Sequence, residues 1–95
     1  MPLIYYRVEV VQELLDLSRS QMRRYLQAGL IATSGEPEGP GAPRRFTEED
    51  VRRARRIRRL ERDLGLNLAG LEVVMRLVDQ IEALQRQLAE GQQRA

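Results

Sequence analysis

The 95-residue chain has no cysteine and no histidine, which excludes disulfides, thiolate or imidazole metal sites, cysteine nucleophiles and Ser-His-Asp triads, so that no enzyme, metal or cofactor is expected. A hydrophobic share of 42% suits one small domain with a Leu- and Val-built core, and no run approaches the roughly 18 apolar residues of a membrane span. The net charge of +2 hides nine arginines against five acids in residues 41–65, an excess that points to an anionic partner, while the lack of a secretory signal directs the expectation to the cytoplasm.

Residues 3–8, Leu-Ile-Tyr-Tyr-Arg-Val, are β-branched or aromatic enough for a short strand. Val8, Val11, Leu14 and Leu15 then follow i, i+3, i+6, i+7, a helical stripe that Asp16 breaks. A second helix follows within Leu17 to Ile31. Ser18 is its N-cap candidate, since a hydroxyl there accepts from an unpaired amide of the first turn. Met22, Leu26 and, past the helix end, Leu30 fall at core spacing. Gly29 stands where the helix should stop, because glycine enters the left-handed conformation without a steric cost. Arg19, Arg23, Arg24 and Tyr25 are left for the surface, where guanidinium and phenol groups suit phosphate oxygens and base edges. Two short helices across a tight turn make a helix-turn-helix, with residues 18–28 as its recognition helix.

Residues 33–43 hold three Gly and three Pro in eleven positions and predict a loop. Arg44-Arg45-Phe46 reads as a short strand returning to the first, so that the loop forms a wing. Thr47-Glu48-Glu49-Asp50 predicts a capping box, with its acids on the positive end of the helix dipole. The helix that follows should bury Val51, Ala54, Ile57, Leu60 and Leu64. It should expose Arg52, Arg53, Arg55, Arg56, Arg58, Arg59 and Arg62, and end at Gly65. That arginine face has two readings: a solvated face with Glu61 and Asp63 as local partners, or a surface for flanking phosphates or an acidic protein.

Asn67 can cap a last helix over residues 68–90. In it Val74, Leu77, Ile81, Leu84 and Leu88 alternate spacings of three and four, the pattern of a coiled coil. The stripe can pair with a second copy or pack on the chain's own domain. The expected organisation is a winged helix-turn-helix domain in 1–66, a coiled-coil dimerisation helix in 67–90 and a disordered tail in 91–95.

Taken in order, residues 5–88 resemble the DNA-binding region of the MerR superfamily. The resemblance rests on Val8, Val11 and Leu14, on Leu17-Ser18 at the turn and on Met22-Arg23-Arg24-Tyr25 followed by Gly29-Leu30-Ile31. Arg44-Arg45-Phe46-Thr47 and Asp50-Val51 carry it through the wing into the next helix. Gln12, where the family has a small alanine, and Asp16, where it has a glycine, depart from it. The resemblance implies a mostly α winged helix-turn-helix with a small β-hairpin wing and a C-terminal dimerisation helix. It implies double-stranded DNA contacts from Ser18, Arg19, Arg23, Arg24, Tyr25, Arg44 and Arg45, and a homodimer through Val74, Leu77, Ile81, Leu84 and Leu88.

Two short subfamilies are similar. HspR-type heat-shock repressors, which use the DnaK chaperone as co-repressor, resemble the chain in Asn67-Leu68-Ala69-Gly70-Leu71 and the heptads beyond. CbpM-type chaperone modulators, which bind a DnaJ-type co-chaperone, resemble it in Arg58 to Leu66 and in Leu71 to Leu88. The expected function is a DNA-binding transcriptional regulator of the heat-shock repressor type; the alternative is a chaperone modulator with little DNA affinity.

Overall fold

The computed structural model describes residues 3–94. The order is strand β1 (Tyr5–Tyr6), helix α1 (Val8–Leu15), helix α2 (Arg19–Gln27), strand β2 (Phe46–Thr47), helix α3 (Glu48–Leu64) and helix α4 (Leu68–Arg94). This is a mostly helical winged helix-turn-helix, as the sequence predicts.

α1 ends because Asp16 adopts φ 53°, ψ 51°, a left-handed conformation that aspartate tolerates better than most residues. Val11 and Leu15 point into the core, but Leu14 is 55% exposed. The apolar stripe of α1 is narrower than its spacing predicts: Val11 and Leu15 are buried, Val8 is half-buried and Leu14 lies outside the core.

β1 and β2 pair antiparallel, Tyr5 opposite Thr47 and Tyr6 opposite Phe46, so the returning strand starts two residues later and ends one residue later than the expected Arg44–Phe46. A single antiparallel bridge, Gly35 to Arg45, continues the pairing and closes the wing. Gly35 is required there. A Cβ would stand 2.7 Å from the Arg45 carbonyl oxygen and 2.7 Å from the Tyr5 ring, closer than carbon can approach either.

The capping box of α3 forms as predicted. Thr47 Oγ1 accepts from the Asp50 amide at 3.1 Å, and the Asp50 carboxylate accepts from the Thr47 amide at 2.9 Å. That carboxylate also accepts from the Ser34 amide at 2.8 Å and the Ser34 hydroxyl at 2.9 Å, so one side chain starts α3 and holds the root of the wing. Val51, Ala54 and Ile57 are buried, whereas Leu64, expected in the core, is exposed. It occupies the last turn before Gly65, which ends α3 at φ 63°.

α4 is capped by Asn67, whose Oδ1 accepts from the Gly70 amide at 2.8 Å. Its inward stripe is Leu68, Leu71, Met75 and Val78. The helix continues to Arg94, past the Glu90 boundary and through residues 91–94 of the expected tail; Ala95 lies outside the described residues. From Leu84 to Gln93 every residue is exposed. This free end helps explain an accessible surface of 7161 Å², against about 5,600 Å² for a compact protein of 11.0 kDa.

Candidate nucleic-acid interface

α2 is held at both ends. Ser18 Oγ accepts from the Gln21 amide at 3.1 Å, and the Gln21 side chain accepts from the Ser18 amide at 2.9 Å, a reciprocal box that satisfies two first-turn donors. At the other end Gly29, at φ 72°, turns the chain. The Leu30 amide donates to the Tyr25 carbonyl at 3.0 Å and the Gly29 amide to the Leu26 carbonyl at 3.2 Å, the paired bonds of a Schellman stop. Between these ends Met22 and Tyr25 face inward, and Arg19, Ser20, Arg23, Arg24 and Gln27 are exposed. Positions 19, 20, 23, 24 and 27 lie on one side of a helix of 3.6 residues per turn.

Arg19, Arg23 and Arg24 form no ion pair among the described residues, so the exposed side of α2 keeps its positive charge. Ser18 is exposed beside them; its oxygen serves the cap, which leaves its O–H free to donate outward. Ser20 and Gln27, which the sequence reading passed over, complete the face. Their spacing to Arg23 and Arg24 was the signal that could have found them, and a glutamine amide can pair with an adenine edge.

Tyr25 does not belong to this surface. It is 2% exposed, and its hydroxyl donates to Glu61 Oε1 at 2.7 Å. Burial, with the bond to Glu61 second, pushes its pKa up to about 12. The placement of Tyr25 as a phosphate donor is therefore corrected: it is a core residue that ties α2 to α3. Arg58, predicted on the exposed face of α3, closes the same knot. Its Nη1 donates to Glu61 Oε1 at 2.7 Å and its Nη2 to the Asp16 carbonyl at 2.9 Å.

The two wing arginines differ. Arg44 is exposed, and its guanidinium leans on the Thr33 and Ser34 carbonyls at 3.3 and 3.4 Å. Carbonyls accept hydrogen bonds without cancelling charge, so Arg44 remains a cation next to the segment that leaves α2. Arg45 is drawn into the wing: its Nε donates to the Glu36 carbonyl at 2.7 Å, and its guanidinium carbon lies 4.9 Å over the Tyr5 ring. Glu38 Oε1 is 4.0 Å from it. Glu38 belongs chiefly to Arg7, which donates to it at 2.8 and 3.0 Å. Those hydrogen bonds hold the Glu38 carboxyl below the usual carboxylate range.

The arginines of α3 divide in the same way. Arg53 pairs with Asp79, Arg56 with Glu82, Arg58 with Glu61 and Arg62 with Asp16. Arg52, Arg55 and Arg59 are exposed and have no ion pair among the described residues. On α4, Leu77, Ile81, Leu84 and Leu88 are each more than half exposed and Val74 is half-buried. The heptad stripe thus lies on a different side from the residues packed on the domain. No described helix is long and apolar enough to cross a membrane.

Residues 6–93 match the family model described as MerR HTH family regulatory protein. Over 85 residues the chain is 31% identical to the heat shock protein HspR of Streptomyces coelicolor. That stretch covers 90% of this chain and 54% of the relative, so the chain spans about half the relative's length.

Proposed function

The chain belongs to the MerR family of helix-turn-helix regulatory proteins, and from that premise we propose that it is a transcriptional regulator that binds double-stranded DNA as a homodimer and represses in the manner of a heat-shock regulator. The observation that carries this reading is the row of unneutralised arginines on the exposed side of α2, with Arg44 beyond it on the wing. α2 enters the major groove, where Arg23, Gln27 and Ser20 meet base edges. Arg19, Arg24, Ser18 and Arg44 meet phosphates. Arg45 keeps the wing in shape rather than bearing directly on the duplex.

Two half-sites are read when Val74, Leu77, Ile81, Leu84 and Leu88 of two copies pair through α4. An α-helical end with no tertiary contact is marginal in water, and the ten exposed residues from Leu84 to Gln93 gain support from a partner helix. The heat-shock assignment follows the description of the relative, and a DnaK-type chaperone is the matching protein partner. The exposure of Leu77, Ile81 and Leu84 also favours a second reading, in which this stripe receives a DnaJ-type co-chaperone and DNA affinity is low.

A mobility-shift assay on the DNA upstream of the protein's own gene, run across a salt series, tests the proposal. Binding should weaken steeply with salt, by a slope of about −0.9 for each phosphate neutralised. Arg23→Ala combined with Arg44→Ala should abolish binding while helicity and dimerisation stay intact. Unchanged affinity in that variant refutes the assignment. A stable complex with a J-domain protein and no duplex binding establishes the second reading instead.

A further inference from the structure

A trough between α1 and α3 has no part in the DNA-binding surface described above. It consists of two depressions of about 260 and 350 Å³ that share Leu14 and Arg55 as lining residues. Along its α3 wall run Arg52, Arg55, Arg59 and Arg62, at i, i+3, i+7 and i+10, one side of the helix over about 15 Å. The first three have no ion pair among the described residues, and Arg62 reaches only the exposed Asp16 carboxylate at 3.3 Å. An exposed bridge of that length is weak and readily exchanged. Glu48 and Asp63 stand at the two ends of the trough and leave the arginines between them unneutralised.

The α1 wall is Leu14 and Leu15, with Asp16 at its end. Leu14 is more than half exposed in the middle of the arginine row. A phosphate backbone satisfies guanidiniums but offers nothing to a leucine. An amphipathic helix carrying carboxylates beside apolar side chains satisfies both.

We propose that this trough is the docking site for an acidic amphipathic helix of another protein, which sets an apolar side chain against Leu14 and carboxylates against Arg52, Arg55 and Arg59. None of these residues lies on the exposed side of α2, so a helix seated in the trough takes none of the groups assigned above to the duplex.

The test uses the full chain and a fluorescein-labelled synthetic peptide with glutamates at i, i+3 and i+7 and leucines at i+4 and i+8. A scrambled peptide of the same composition and a short duplex of unrelated sequence serve as competitors. The ordered peptide should bind and shift the amide resonances of Leu14 and of residues 52–59. Arg55→Glu with Arg59→Glu should weaken it by about tenfold or more. Leu14→Asp, at an exposed position that folding does not depend on, should weaken it independently. The proposal is overturned by failure of the ordered peptide to bind, by equal binding of the scrambled peptide, or by full affinity in both variants. A duplex that displaces the peptide and loses affinity in the arginine variant makes the trough a phosphate surface. Conversion of the protein to a monomer by Leu14→Asp makes it a contact between copies. Either result ends the proposal.

Discussion

Arg53 and Asp79, 26 residues apart, are joined by two hydrogen bonds of 2.7 and 3.1 Å, while Arg53 Nε donates to the Leu30 carbonyl at 2.6 Å. One side chain on α3 therefore links the stop of α2 to α4, at a residue set between Leu77 and Ile81 of the exposed stripe. Arg53 engages all three guanidinium nitrogens, and three of its five N–H donors, within the protein. Arg53→Ala should cost about 1–2 kcal/mol, measured by urea unfolding, because it removes a charge-assisted bidentate pair that is partly open to solvent. The same bonds hold the Asp79 carboxyl below its ordinary value. A carboxyl with a depressed folded-state pKa contributes stability above its unfolded-state value and loses it as pH falls through the folded one. Asp79→Asn should thus flatten the acid side of the stability profile below about pH 4. Superimposable acid limbs for variant and parent would show that the pair contributes nothing.

Tyr25 has the opposite sign. Its phenol is pushed up to about 12, so the folded state keeps a proton that the unfolded chain loses near pH 10. Stability is then fully present below pH 10 and is lost as pH rises from about 10 to about 12, in total on the order of 3 kcal/mol. Tyr25→Phe should remove the most alkaline phase of an absorbance titration of tyrosine. It should also cost about 1–2 kcal/mol at neutral pH, since Glu61 loses a buried donor. DNA affinity in the folded variant should stay within about twofold of the parent, because the hydroxyl faces α3; a large selective loss would return Tyr25 to the DNA surface.

Gly35→Ala tests the wing. The added methyl meets backbone and ring at 2.7 Å, so the Gly35–Arg45 bridge and the Arg45–Tyr5 stack should open. The expected cost is about 1–3 kcal/mol. Thermal unfolding reads that cost, and the amide shifts of residues 33–45 should move while those of α2 hold. DNA affinity should fall through Arg44, whose partners Thr33 and Ser34 sit on the same segment. A variant with parental stability and shifts would mean that the wing root is looser than its contacts imply.

Ile81→Asp and Leu84→Asp test the α4 stripe. Neither residue packs on the chain's own core, so the domain should stay folded while sedimentation reports a monomer and far-ultraviolet ellipticity reports a partly melted α4. Binding to a two-half-site duplex should fall by at least about a hundredfold, since each dimer contact set is halved. A dimer that survives both substitutions would place the interface elsewhere.

The sequence by itself determined where the helices begin and where α1, α2 and α3 end, and with them the winged helix-turn-helix class. Ser18, Thr47 and Asn67 act on amides three residues away, and Asp16 and Gly65 end their helices through their own backbone angles. Such chemistry is complete within a single turn and needs no other part of the chain. Which side of each helix faces inward was legible only where the apolar stripe was broad: Met22, Val11 and Ile57 are buried as predicted, and Leu14, Leu64 and Tyr25 are not where local spacing placed them. Only the tertiary structure decided which arginines are spent. Arg53, Arg56 and Arg58 are engaged because acids or carbonyls 23 to 42 residues away arrive opposite them, whereas Arg23, Arg24 and Arg55 meet none. A guanidinium's partner is set by the fold around it rather than by its neighbours in the chain, so the charge left over for an anionic partner could be counted only after the helices had been packed together.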